Sequence, residues 1–213
     1  MHRLAFPVAA VGALFVLLLC LLGALGYPGY SHVAQFMSEL GARGAPNEMW
    51  VRFLGFLPAG LLLCFFAWLA RGALPGSGLA TLGFIGIGTF AAGYVVAAFF
   101  PCDPGCRPTI ASFSQIIHTA AGLAGYLMAP IGMLALAIAA RRWPDASRLS
   151  AAGFLSAAVS AIGLATLSPE SPYVGLSQRL IEASVLSWVL LCAFYIQTRA
   201  KRDAVVESTR VVE

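Results

Sequence analysis

Six stretches of this chain, residues 5–26, 51–70, 78–100, 113–140, 149–167 and 177–198, are almost free of Asp, Glu, Lys and Arg. Each is close to the roughly 20 apolar residues that a helix needs to cross a hydrocarbon core about 30 Å thick. Four carry no charge at all, and the other two carry theirs near the start, as Arg52 and as Arg179 with Glu182. Hydrophobic residues make up 60% of the sequence and charged residues 10%, more apolar surface than a water-soluble domain of this size can hide. The blocks lack the strict alternation of barrel strands, which leaves helices as the way to satisfy the backbone in lipid. The expected fold is therefore all-α, a polytopic six-helix transmembrane domain over residues 1–198 followed by a charged cytoplasmic tail over 199–213.

A basic residue, Arg3, precedes the first block, as in a secretory signal peptide, but the apolar run exceeds a usual signal core and favours a retained helix. With both termini cytoplasmic, the inner side holds Arg3, Arg71, Arg141, Arg142, Arg148, Arg199, Lys201, Arg202 and Arg210, and the outer side only Arg43, Arg52, Arg107 and Arg179. That bias predicts a cell (inner) membrane protein with its termini inside. It also accounts for the net charge of +4 without a nucleic-acid patch.

The inner loops are short, so function is sought in the outer ones. In the first, Val33, Phe36, Met37 and Leu40 share one face at helical spacing, with His32, Gln35 and Glu39 opposite. Ser31 as cap and Gly41 as stop predict a surface helix of two or three turns. Asn47 is expected to cap the second span, with Glu48 in its first turn. In the second loop a Pro-Gly turn brings Cys102 and Cys106 near each other, which predicts a disulfide in an oxidising compartment. With no second cysteine pair, these make a poor zinc signature. Cys20, Cys64 and Cys192 lie in apolar blocks as packing residues.

Polar residues recur at one depth. Ser114, Gln115 and His118 open the fourth span; the plain role for such a histidine is a bond to a neighbouring carbonyl. Gln178, Arg179 and Glu182 open the sixth, and the spacing of the last two predicts an ion pair, because a charge at this depth costs several kcal/mol unless paired or wet. Glu39, Asp103, Arg107, His118, Arg179 and Glu182 thus crowd the outer third, while the inner two thirds hold almost nothing titratable. A transporter or channel would place polar groups near the midplane. Gly83, Gly86, Gly88, Gly93, Gly122 and Gly125 are expected to serve close helix packing.

The segment from Tyr30 to Asn47, the Phe100–Cys106 loop with its Cys-Asp-Pro-Gly-Cys motif, His118, and Gly175-Leu-Ser-Gln-Arg-Leu180 together resemble the bacterial and archaeal membrane proteins grouped as domain of unknown function 998. The resemblance spans nearly the whole chain. It implies a six-helix fold and no established activity. The Ser38-Glu39-Leu40-Gly41 turn is also distantly similar to a loop of the Frag1/DRAM/Sfk1 membrane proteins, some of which affect lipid handling.

Two functions fit these residues. The first is an outward-facing polar pocket that binds a lipid head group or small amphiphile, formed by His32, Gln35, Glu39, Arg43, Arg107, Gln115, His118, Gln178, Arg179 and Glu182, with an arginine meeting an anionic group. The second is an intramembrane lipid hydrolase using His118 with Glu39, Asp103 or Glu182 as acid and base, with or without a metal. That resembles the alkaline ceramidase type in outline, but only His32 and His118 stand on the outer side where three histidines are needed. No cofactor is expected; the expected partner is membrane lipid, and a homo-oligomer or a membrane-protein partner is compatible with such a chain.

Overall fold

The computed structural model describes the backbone of residues 2–210 and the side chains of residues 3–202. Six helices are long and apolar enough to cross a membrane: α1 (Ala5–Leu25), α2 (Glu48–Ala73), α3 (Gly78–Phe99), α4 (Phe113–Ala140), α5 (Ser147–Ala165) and α6 (Val174–Arg210). The described residues contain no strand. Their bounds fall within about three residues of the apolar blocks, except that α6 runs on past Thr198 into the charged segment without a break. Residues 211–213 of that segment lie outside the described residues, as does the His2 side chain.

Each helix packs on the next and α6 closes on α1, so the chain forms an up-and-down ring of six. The interior holds Phe66, Leu63, Met133, Leu136 and Trp188. Leu14, Leu17, Leu61, Phe65, Ile85, Ile131 and Leu155 face outward and exposed, an exterior that only lipid solvates well. Where the surroundings are as apolar as the core, helices associate through close packing, and α3 on α4 shows it. A Cβ on Gly86 would stand 2.9 Å from both the Gly132 Cα and the Met128 carbonyl oxygen. Not every glycine serves this purpose, contrary to the expectation from sequence. A Cβ on Gly88 or Gly122 would meet nothing within 4 Å, and one on Gly93 only a carbonyl at 3.8 Å.

Ser77 and Ser112 accept the N–H groups of Ala80 and Gln115 at 3.1 and 3.2 Å and so cap α3 and α4. Asn47 makes no side-chain cap. Glu48 instead accepts the Gly44 N–H at 2.8 Å and pairs with Arg52 at 2.6 Å. Here α2 opens as a wider π-helical turn, Val51–Phe56, and Arg52 Nε donates at 2.8 Å to the Ala98 carbonyl, one of the last α3 carbonyls that its own helix leaves unpaired.

The two termini share one end of the bundle, where Phe6 of α1 packs edge-on against Phe194 of α6. The opposite, distal end is covered by the segment from α1 to α2. Its only helix is the five-residue 3-10 turn Met37–Gly41, shorter than the two or three turns expected, and residues 31–35 form a turn ahead of it.

Candidate functional site

The distal segment is held by its own polar residues. Ser31 Oγ accepts the Ala34 N–H at 3.3 Å, and Gln35 Oε1 accepts the Ser31 N–H at 2.8 Å. Gln35 Nε2 donates to Glu39 at 2.8 Å, and the other Glu39 oxygen takes the Phe36 N–H at 2.9 Å. Glu39 is therefore buried, 3% exposed, because it serves as acceptor for backbone that would otherwise be orphaned. Of the polar stripe, Gln35 and Glu39 close on their own segment, while His32 is exposed.

Arg179 ties this segment to α6. Its Nη1 donates to the carbonyls of His32, Gly175 and Gln35 at 2.7, 3.0 and 3.3 Å, and its Nη2 to the Tyr30 hydroxyl and His32 Nδ1 at 2.7 and 2.9 Å. Burial, with Arg179 adding, pushes the His32 pKa down, consistent with a neutral ring that accepts through Nδ1. Burial raises the Tyr30 hydroxyl to about 12, so it stays a donor, to the Phe36 carbonyl at 2.9 Å. The segment lies directly on α6: a Cβ on Gly175 would stand 2.6 Å from the His32 carbonyl oxygen. The ion pair expected between Arg179 and Glu182 does not form. A fork of five N–H donors reaches the clustered carbonyls and satisfies them, whereas Glu182 turns into the bundle.

The 100–112 loop folds back on the start of α4 in the same manner. Cys102 and Cys106 are joined by a disulfide, as expected. The Gln115 side chain accepts the Asp103 N–H at 2.8 Å and donates to Thr119 at 2.9 Å, and Ser114 donates to the Pro101 carbonyl at 2.6 Å. The backbone N–H of Ser112, at 2.9 Å, holds the Asp103 carboxyl below its usual range, with Arg43 at 3.4 Å a lesser cause. His118 Nδ1 stands 3.0 Å from the Phe100 carbonyl. A carbonyl only accepts, so Nδ1 carries the proton and Nε2 is left as an acceptor. Arg107 donates to the Ala34 carbonyl at 3.0 Å, lies over the Phe36 ring and stands 3.8 Å from Glu39.

Beneath these two loops lies a cavity of about 290 Å³ between α3, α4 and α6. Its walls are largely apolar: Phe56, Phe90, Gly93, Ala97, Gly122 and Leu123 among others, roofed by Phe36 and Met37. The deep polar end is Glu182, 5% exposed. Tyr126 donates to one Glu182 oxygen at 2.7 Å and Tyr94 to the other. Gln178 donates to the Tyr126 hydroxyl at 2.6 Å and accepts the Met37 N–H at 2.6 Å. A continuous chain of hydrogen bonds thus runs from the distal segment to the buried carboxylate.

Of the ten residues expected to form one pocket, Gln115, His118, Gln178 and Glu182 line this cavity, while His32, Gln35, Glu39, Arg43 and Arg107 belong to the loops above it and Arg179 holds the first of those loops from α6. Tyr94 and Tyr126 were missed by a reading centred on charged groups and histidines. The available signal was the hydroxyl itself, since a tyrosine in mid-span needs a partner for its O–H. Among the described residues no three His, Cys, Asp or Glu side chains gather as metal ligands.

A ring of six helices long and apolar enough to span a bilayer defines a multi-pass membrane protein. Residues 9–195 match the family model described as Protein of unknown function (DUF998); the chain belongs to that family. No curated protein and no solved structure matches it.

Proposed function

We propose that the protein binds a small amphiphile in the distal cavity. One observation carries this reading: a buried carboxylate, dressed by two tyrosine hydroxyls, closes the deep end of a cavity whose other walls are apolar. Such a shape pairs one polar point with a greasy body, the pattern of small-molecule sites. At about 290 Å³ the cavity stands at the lower edge of the roughly 300–1,000 Å³ usual for such sites. It suits one chain or one compact head group better than a whole phospholipid. Leu123 of α4 and Pro169, just beyond α5, are lining residues that also reach the surface, so entry is sideways from the lipid. The hydrolase reading has less support: Glu39 and Asp103 are held by loop donors and do not line the cavity, and Glu182, which lines it with His118, has both oxygens bonded by tyrosine hydroxyls.

Gly122→Leu tests this directly. A Cβ there meets nothing within 4 Å, so the added side chain projects into the cavity at no packing cost, and leucine is the better helix former by about 0.8 kcal/mol. Native mass spectrometry of the purified wild type is expected to show a bound amphiphile, and the variant is expected to fold as well and to lose it. Unchanged retention of a co-purified amphiphile, in a folded Gly122→Leu variant, would place the binding elsewhere.

In this reading the distal end faces outward across the cell membrane and both termini are cytoplasmic, as the distribution of basic residues favours. A cysteine introduced at Ser147, at the start of α5, is expected to resist impermeant thiol reagents on intact cells. Labelling of that cysteine would invert the orientation.

A further inference from the structure

The amphiphile-binding reading leaves the head group open, and the cavity's chemistry narrows it. The lining contains two ionisable polar groups besides the tyrosines, Glu182 and His118, and neither lysine nor arginine. The four outer arginines are committed elsewhere: Arg179 to five acceptors, Arg43 to Asp103, Arg107 to the Ala34 carbonyl and Glu39, and Arg52 to Glu48 and the Ala98 carbonyl. A carboxylate has about four acceptor positions. Tyr94 and Tyr126 fill two at Glu182, and two stay open.

Two of the rings that line the cavity carry the hydroxyls bonded to that carboxylate, and two phenylalanines pack on them. Phe90 packs at 5.6 Å from Tyr94 and 6.2 Å from Tyr126, and Phe56 at 6.0 Å from Tyr94, measured between centroids. All four line the cavity. Clustered aromatic faces attract a cation through their quadrupoles, and such cages are a recurrent means of holding ammonium groups. A buried carboxylate whose nearest cation along the helix, Arg179, is turned away to five other acceptors asks for the same partner, because a charge left without a direct partner in an apolar interior is costly. An anionic head group would meet Glu182 as a like charge and find no arginine to offset it.

We infer that the cavity selects amphiphiles with an alkylammonium head, held by Glu182 and by the rings of Phe56, Phe90, Tyr94 and Tyr126, in preference to anionic or uncharged ones; this rests on the amphiphile-binding reading above. His118 Nε2, an acceptor on the same cavity, adds a second point for an N–H donor.

The test compares dodecylammonium, dodecanol and dodecanoate at equal mole fraction in nonionic micelles, with calorimetry and the thermal unfolding midpoint as readouts. Dodecylammonium is expected to bind saturably and at least about tenfold tighter than dodecanoate, with dodecanol between them. In Glu182→Gln, which keeps the side-chain volume, the preference should vanish while dodecanol binding persists. The Gly122→Leu variant should bind none of the three, which separates the cavity from general micelle effects. Equal or tighter binding of dodecanoate by the wild type would overturn the ammonium assignment and leave the amphiphile reading standing. Saturable binding of none of the three would remove both. A preference that survives in Glu182→Gln would take the role away from this carboxylate, and the wild-type comparison decides the head-group class even where that variant fails to fold.

Discussion

Glu182→Leu is expected to lower the unfolding free energy in detergent by about 3 kcal/mol, since it leaves two buried tyrosine hydroxyls without an acceptor, each worth roughly 1–3 kcal/mol when orphaned. The hydroxyls of Tyr94 and Tyr126 both donate to this one carboxylate, and no other acceptor bonds either of them. The loss comes from what remains behind, because a network with one member removed is worse than none. Combining Glu182→Leu with Tyr94→Phe and Tyr126→Phe should therefore recover most of the stability, although three substitutions are present instead of one. Gln178 then keeps only its bond to the Met37 N–H, so recovery should stop short of the wild type. Reversible chemical unfolding of the three proteins checks this. A triple variant less stable than Glu182→Leu would mean that the tyrosines find new partners and that the cavity floor is not one network.

The spans were legible because lipid imposes a single requirement on them, a long run of apolar residues with the backbone satisfied locally. The disulfide was legible for a similar reason: Cys102 and Cys106 are brought together by a turn encoded between them. What failed to read through was set by groups far apart in sequence. Arg179 and Glu182 stand three positions apart, and a helical wheel puts them side by side. Nothing on the wheel shows that the His32, Gln35 and Gly175 carbonyls converge above one residue while the hydroxyls of Tyr94 and Tyr126 converge below the other. The same limit applies to the distal segment. Of its four apolar positions Met37 and Leu40 are buried, 2% and 1% exposed, whereas Phe36 is half-buried and Val33 is 45% exposed. In the opposite stripe His32 is exposed, but Gln35 and Glu39 turn inward to bond backbone N–H groups of their own segment. Glycine was ambiguous in the same way. Gly86 admits a neighbouring helix and Gly122 admits empty space, and the two are indistinguishable until α4 is placed against α3.

Arg179→Ala bears on the loops as Glu182→Leu bears on the floor. It removes four hydrogen bonds from α6 to the Tyr30–Gln35 stretch and one to the Gly175 carbonyl within α6, and leaves the bond from the Leu176 N–H to the Val33 carbonyl in place. Hydrogen bonds to a charged group are worth about 1.5–3 kcal/mol each when buried, but this side chain is partly exposed and the bonds share one anchor, so the expected loss is about 2–4 kcal/mol in total. Lysine should recover little of it. An ammonium is a point charge with three donors, and it cannot span three carbonyls, a hydroxyl and an imidazole nitrogen at once. The damage should be local first: the distal segment should become sensitive to added protease while the six spans stay intact, because the helices bury their own apolar contacts without it. Loosening the segment also lifts Phe36 and Met37 from the roof of the cavity and withdraws the Met37 N–H from Gln178, so amphiphile retention should fall along with stability. That coupling separates the two roles open to this arginine. A positioning residue loses loop order and ligand together, whereas a residue that itself contacts the ligand would lose binding with the segment still protected from protease. Because Arg179 does not line the cavity, the first pattern is the expected one, and the second would mean that a head group reaches past the roof to a guanidinium now committed to the loop.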